Sequence, residues 1–309
     1  MKSSKIRLAI LVLTLTIGSC KGTNYDWIDR ARHEGLVKLS NTASFEVFST
    51  EPNPIGIKNT IQNLEQSKVY FDEVFDENLN FAVLFVDNKN WNKYAWAPPP
   101  GMPQSDYDGN MVLGVGKSIM ATRWEQQLSE LPPGKMDSLK QVFGNEIDLD
   151  LFFRDALSIH ELGHLYQFYK TSNESQRRWL NEVFGNLCQV AAVKRLESNE
   201  VFNQMDYFQE LLIEENLWGN VEFKTLDQFE ESYMDIIKLG RNYGWYQTQF
   251  YQIAKELYSK FGDEFLNEFR NLLIAVDAKK IGKIENDKLI VIMRERLGDE
   301  AVEILKWKH

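Results

Sequence analysis

The spacing of apolar and polar residues changes along the chain and predicts two regions of different structure. Residues 45–50 alternate apolar and polar positions, which is typical of a half-buried strand. Residues 55–75 carry isoleucine and leucine at nearly helical spacing and predict a helix. Residues 79–86 form an apolar run that ends in turn residues, and residues 110–116 form a second such run, so both predict buried strands.

From about residue 118 onward the pattern is almost entirely helical. Residues 152–169 predict a buried helix, and a second helix is predicted from about Ser175 to Val193. The fold class that follows is α+β, with a small α/β lobe and a mixed sheet over residues 45–117. A mainly helical lobe over residues 118–309 then carries two closely spaced histidines.

The first residues predict a targeting segment rather than part of the fold. A positively charged start precedes an apolar run over residues 8–17, which is too short to span a bilayer. Ile17-Gly18-Ser19-Cys20 resembles a bacterial lipobox, in which the cysteine is lipidated and becomes the mature N-terminus. We therefore predict a lipoprotein signal peptide over residues 1–19, a lipid anchor on Cys20, and a tether over residues 20–44. A plain signal peptide with an incidental cysteine is the alternative.

The predicted anchor indicates the bacterial cell envelope, outside the cytoplasm. Lys21 stands where an aspartate is associated with retention in the inner membrane, so we expect the outer membrane. The net charge of −10 argues against binding to nucleic acid. We expect a monomer. With Cys20 lipidated, Cys188 is the remaining cysteine of the mature chain, which excludes an intramolecular disulfide, and its apolar neighbours predict a buried core residue.

Half of the four histidines lie four residues apart, at His160 and His164. On a helix, residues with this spacing lie on the same face, so both imidazole rings can reach one zinc ion. Glu161 lies beside the first histidine and can act as a general base without binding the metal. The alternative is a chance occurrence in a core helix.

A catalytic zinc requires a third protein ligand. The metzincin pattern fails because Gln167 and Lys170 occupy its later positions, and the deformylase pattern fails because no cysteine ligand lies upstream outside the lipobox. A glutamate on a second helix remains, and Glu182 lies far enough along the chain for an antiparallel return. Glu174 is the competing ligand, although its polar turn favours a solvated side chain.

The sequence HELGH followed by Trp179-Leu180-Asn181-Glu182 resembles the gluzincins, which comprise thermolysin-like and aminopeptidase N-like zinc peptidases. The resemblance implies one Zn²⁺ held by His160, His164 and Glu182, with Glu161 as general base and a peptide or protein as substrate. Thermolysin-like enzymes carry an aspartate four residues after the glutamate ligand, where this chain has Asn186. We expect its amide oxygen to orient a ligating histidine.

The same resemblance implies a tyrosine that stabilises the oxyanion. Tyr246 matches best by its spacing to Phe250 and Gly262, and Tyr243 is the second candidate. Residues 110–116 are expected to form the edge strand to which an extended substrate adds.

Aminopeptidases carry a Gly-x-Met-Glu-Asn motif near this strand, and its glutamate binds the free amine of the substrate. Residues 101–111 contain no such glutamate. The sequence therefore predicts a zinc-dependent endopeptidase. One alternative is an aminopeptidase. The other is a lipoprotein that uses the fold as a binding module and is either catalytically silent or hydrolyses a non-peptide bond.

Overall fold

The computed structural model describes residues 26–39, 43–97 and 99–306. The predicted signal peptide and Cys20 lie outside these residues. Across the described ranges, no helix combines the length and the apolar character that a membrane span requires.

The N-terminal lobe contains one mixed five-stranded sheet, which confirms the predicted α+β class. Its strand order is β1-β2-β3-β5-β4. The three inner strands are parallel, and each outer strand is antiparallel to its neighbour. The strands are β1 (Val37–Lys38), β2 (Glu46–Ser49), β3 (Ala82–Val86), β4 (Gln104–Ser105) and β5 (Asn110–Gly114).

The segment 26–39, predicted as part of a tether, docks on this sheet. The Trp27 indole N–H donates to the carbonyl oxygen of Asn80 at 2.6 Å, and Ile28 is buried. Val37 and Lys38 extend the sheet beyond β2. Burial of Ile28, partial burial of Trp27 and strand pairing hold the segment on the lobe.

The sheet edge that faces the helical lobe is β4, and not residues 110–116 as predicted. Strand β5 pairs with β3 along its whole length on one side, and its residues Met111 and Val112 pair with β4 on the other. The outer side of β4 is the open edge. Strand β4 also contacts the helix that carries the two histidines.

Helices make up the rest of the described chain, as predicted. A 3₁₀ turn (Arg30–His33) precedes the sheet, and a π-helical segment (Leu151–Ala156) runs directly into α5. The α-helices are α1 (Lys58–Val74), α2 (Trp91–Tyr94), α3 (Ile119–Ser129), α4 (Pro133–Phe143), α5 (Leu157–Phe168), α6 (Arg178–Val193), α7 (Glu200–Glu214), α8 (Leu226–Glu231), α9 (Tyr233–Leu239), α10 (Arg241–Ala275), α11 (Ala278–Ile281), α12 (Asn286–Leu297) and α13 (Asp299–Leu305).

The close packing of α5 on α6 is the feature of the core that positions the site. Gly163 lies against Cys188, and a Cβ atom at Gly163 would come within 2.5 Å of the cysteine Cβ. Cys188 is fully buried, and burial raises the pKa of its thiol. Both residues are small, so the two helix backbones approach closely along this contact.

Candidate metal centre

Helices α5 and α6 bring two imidazoles and one carboxylate to one point. His160 and His164 lie one turn apart on α5 and are both buried. Their Nε2 atoms are 3.0 Å apart, and Nε2 of His160 is 3.6 Å from Oε2 of Glu182 on α6. One ligand atom from each of the three residues lies within 4.8 Å of the other two.

This donor set fits a zinc ion. Two imidazoles and one carboxylate are a common set of protein ligands for catalytic zinc, and zinc–nitrogen bonds of about 2.0–2.1 Å place two tetrahedral ligands roughly 3.3 Å apart. Burial, followed by the charge of His160, lowers the pKa of His164 to about 4. His164 is therefore neutral near pH 7, as a metal ligand must be. In the described part of the chain, no other group of histidine, cysteine, aspartate and glutamate converges in this way.

The three groups meet because α6 carries glycine at the contact. A Cβ atom at Gly185 would lie 2.7 Å from Nε2 of His160 and 2.8 Å from Nε2 of His164. Any larger residue at position 185 would push against both rings. Gly185 thus lets the backbone of α6 approach the face of α5 that carries the histidines.

The carboxylate of Glu182 is oriented by two amides. Nε2 of Gln247 on α10 donates to Oε2 of Glu182 at 2.8 Å. Nδ2 of Asn186 donates to Oε1 of Gln247 at 3.0 Å and to the carbonyl oxygen of Glu182 at 2.9 Å. Burial opposes ionisation of Glu182, but the histidines and Gln247 together lower its pKa.

Asn186 therefore acts on the glutamate ligand, whereas the sequence predicted a contact with a histidine. The amide N–H groups of Asn186 donate to Gln247 and to the Glu182 carbonyl oxygen, and among the described residues neither ligating histidine donates to the Asn186 amide oxygen. Nδ1 of His160 has no hydrogen-bond partner among the residues that the structure describes. Nδ1 of His164 lies 3.4 Å from Oε1 of Gln167, and its ring stacks on Phe168 at a centroid distance of 5.3 Å.

Glu161 lies beside the ligands and faces the edge strand. The Ser105 hydroxyl on β4 donates to Oε2 of Glu161 at 2.6 Å. Burial raises the pKa of Glu161 to about 7, although the charge of His160 and the Ser105 hydrogen bond act in the opposite direction. A carboxyl group with this pKa can accept a proton and release it again near neutral pH.

Tyr246 is placed differently from the prediction. Tyr246 is fully buried, and its hydroxyl donates to the carbonyl oxygen of Thr225 at 2.7 Å. Its pKa is raised by burial. Burial and, after it, the charges of Glu182, Tyr233 and Glu161 raise the pKa of Tyr243, the second candidate. Tyr246, the first candidate, faces the core through its bond to Thr225.

Glu174, the competing ligand, is exposed and lies outside the cluster. Sequence reasoning missed Ser105, Gln247 and Tyr233. For Tyr233 on α9, burial and then the charge of Glu182 raise the pKa, while Arg178 lowers it. The glycine at position 185, three residues after Glu182, was the one local signal that was readable, because glycine inside a buried helix indicates a close approach.

Comparison with known proteins gives structural neighbours at low identity. The chain is similar to the crystal structure of an M1 zinc metallopeptidase from Deinococcus radiodurans, with a TM-score of 0.46 and 12% sequence identity, over 88% of this chain and 49% of that chain. A point mutant of the same peptidase matches with a TM-score of 0.44 and 13% identity, and the mutant bound to a Tyr-Ser-Ala substrate matches with 0.44 and 12%. The chain spans about half the length of these structures. No family model matches the chain, and no curated protein matches it.

Proposed function

We propose that the chain is a zinc-dependent peptidase. The observation that carries this proposal is the convergence of His160, His164 and Glu182 beside Glu161, whose carboxylate faces the open sheet edge. A structural zinc site is closed by a fourth protein ligand. Here the described residues supply three, and Glu161 lies beside them without being one of the converging ligands.

Bound zinc would supply Lewis-acid chemistry, which polarises a carbonyl group and makes water more acidic. Glu161 accepts the proton of the attacking water and passes it to the nitrogen that leaves. The Ser105 hydroxyl holds the carboxylate in place during this transfer.

Tyr243 is the proposed donor to the carbonyl oxygen as negative charge develops on it. A phenol with a raised pKa stays protonated and can donate a hydrogen bond. Burial and the two carboxylates raise the pKa of Tyr243 in this way. Tyr246 is already bonded to the Thr225 carbonyl oxygen and faces the core.

Strand β4 is the proposed binding edge for an extended peptide. Its outer side is unpaired within the sheet, and Ser105 on this strand contacts the general base. A peptide that adds to β4 would therefore pass in front of Glu161.

An endopeptidase is favoured over an aminopeptidase. Neither residue of β4 is a carboxylate that could bind a free amine. The Gln104 side chain accepts hydrogen bonds from the backbone N–H groups of Trp96 and Ala97, both at 3.0 Å. The Gln104 side chain is thus held by hydrogen bonds to the adjacent loop.

A peptide library separates these functions. The zinc-loaded chain and its Glu161→Gln variant are incubated with peptides of varied sequence, and the products are read by mass spectrometry. Internal cuts that are absent from the variant are expected. Removal of single residues from the N-terminus would indicate an aminopeptidase instead. Zinc-bound protein that cuts no peptide would contradict the proposal and favour a binding module or a non-peptide substrate.

A further inference from the structure

Arg178 is a cation at the edge of the candidate site. It is the first residue of α6 and lies four residues before Glu182, so the two side chains leave the same face of the helix. Four residues correspond to about 6 Å along a helix axis. The Arg178 side chain is 52% exposed, so a ligand can reach it.

Tyr233 packs against this cation. The guanidinium carbon of Arg178 lies 4.9 Å from the centre of the Tyr233 ring. The Tyr233 ring thus packs against the exposed guanidinium at the start of α6.

Only part of the hydrogen-bonding capacity of the Arg178 guanidinium is used within the described residues. Nη1 of Arg178 lies 3.9 Å from Oε2 of Glu230 and 3.5 Å from the Glu230 carbonyl oxygen. These are long contacts, and Oε1 of Glu230 accepts the backbone N–H of Trp179 at 3.0 Å. Within the described residues, Nε and Nη2 of Arg178 make no hydrogen bond. A planar guanidinium carries five donors, so a pair of adjacent donors is left for a ligand.

We propose that Arg178 binds a carboxylate of the peptide substrate, so that the enzyme prefers peptides with an acidic group close to the bond that is cut. This rests on the proposed peptidase function and adds the chemical class of its substrate. The carboxylate can belong to an acidic side chain or to the C-terminus of the peptide. In either case two parallel N–H···O bonds distinguish it from a neutral amide of the same shape.

The test measures peptide binding rather than turnover. Zinc-loaded Glu161→Gln protein, which is expected to bind substrate without cutting it, is titrated with matched peptides by calorimetry. One pair differs only in a C-terminal carboxylate or carboxamide. The second pair carries an amidated C-terminus and differs only in an internal glutamate or glutamine. At least one pair is expected to favour the acid by about tenfold or more, as for hydrogen bonds to a charged group.

Three further variants, each made in the Glu161→Gln protein, test whether Arg178 causes the preference for the acidic peptide. Arg178→Gln should reduce the preference to within about twofold, and Arg178→Lys should retain part of it, since the charge stays and the paired donors are lost. Arg296→Gln removes the same charge from an exposed arginine on α12 and should leave the preference unchanged. If Arg178→Gln does not fold, Arg178→Lys carries the test through its intermediate preference.

The outcomes separate this inference from the peptidase proposal. Equal binding of acid and amide peptides, or a preference that survives in both Arg178 variants, would overturn the role of Arg178 and leave the peptidase proposal standing. The same loss in Arg296→Gln would show an effect of net charge and would also overturn it. Failure of the zinc-loaded protein to bind any peptide would contradict both proposals.

Discussion

Gln247 on α10 donates a hydrogen bond of 2.8 Å to the carboxylate of Glu182 on α6, although the two residues are 65 positions apart. Asn186 fixes the opposite end of the Gln247 amide. The orientation of the carboxylate ligand therefore depends on a third helix that supplies no ligand. Groups that orient a ligand in this way contribute to metal affinity as well as to geometry.

Replacement of Gln247 by leucine should weaken zinc binding by about 10- to 100-fold, because Glu182 loses its donor and Asn186 loses its acceptor. The dissociation constant can be measured by competition with a chromophoric chelator. Gln249→Leu, on the same helix, is the matched control and should bind zinc as wild type does. Equal affinities in all three proteins would show that the amide does not support the ligand.

Replacement of Gly185 by alanine should disrupt the site, because the new Cβ would lie 2.7 Å from the His160 ring. Helices α5 and α6 must move apart to admit it. We expect a loss of about 1–3 kcal/mol in unfolding free energy, as for other overpacked cores, together with weaker zinc binding. Urea unfolding and zinc titration measure the two effects.

The control for that variant is Gly134→Ala on α4, where no atom lies within 4 Å of the added Cβ. This change should be neutral or stabilise the helix by up to about 1 kcal/mol. If Gly185→Ala behaved like Gly134→Ala, the close approach of α6 to the histidines would not be essential.

Replacement of Tyr243 by phenylalanine should lower kcat by about 10²- to 10³-fold with little change in KM, as for other oxyanion donors. Tyr246→Phe should leave kcat near wild type and cost about 1 kcal/mol in unfolding free energy, because the bond to Thr225 is lost. Steady-state kinetics and denaturant unfolding on both variants distinguish the roles. A large kcat loss in Tyr246→Phe alone would restore the prediction made from the sequence.

The raised pKa of Glu161 also predicts how stability of the metal-free protein changes with pH. Its folded-state pKa is about 7, above the ordinary value of 4.5, so the folded state binds more protons between these values. The contribution of this group is fully present below the ordinary value and is lost as pH rises through about 7. The Glu161→Gln variant has no ionisable group at this position, so it does not lose this contribution to stability.

Relative to wild type, metal-free Glu161→Gln should therefore become more stable as pH rises from about 5 to about 8. Urea unfolding of both proteins at the two pH values provides the measurement. Parallel pH dependence of the two proteins would mean that the carboxyl group is not held in its neutral form by burial.

The sequence predicted the long elements well because their signals are local. The helix over α1 and the buried strands β3 and β5 follow from the spacing of apolar residues. The helices α5 and α6 were predicted in the same way. Strands β1 and β4 are two residues long and have no periodicity to read. Pairing with the neighbouring strands defines them, so the true edge of the sheet was missed.

The residues of the candidate site show the same difference between local signals and long-range contacts. The motif in α5 and the glutamate in α6 lie on consecutive helices, and the structure brings them together as the sequence predicted. Ser105 and Gln247 reach the site from distant parts of the chain, and no local pattern marks them. Tyr243 and Tyr246 differ by three positions on one helix, and only the packing of α10 on Thr225 and Phe229 shows that Tyr246 faces the core.

The most direct test of the account is the zinc content of two variants after dialysis against chelator-treated buffer and return of one equivalent of zinc. Glu161→Gln should retain one zinc ion per chain, because Glu161 is the base and not a ligand, and Glu182→Ala should lose most of its zinc. Equal zinc content in Glu182→Ala and wild type would contradict the central claim that His160, His164 and Glu182 hold the metal.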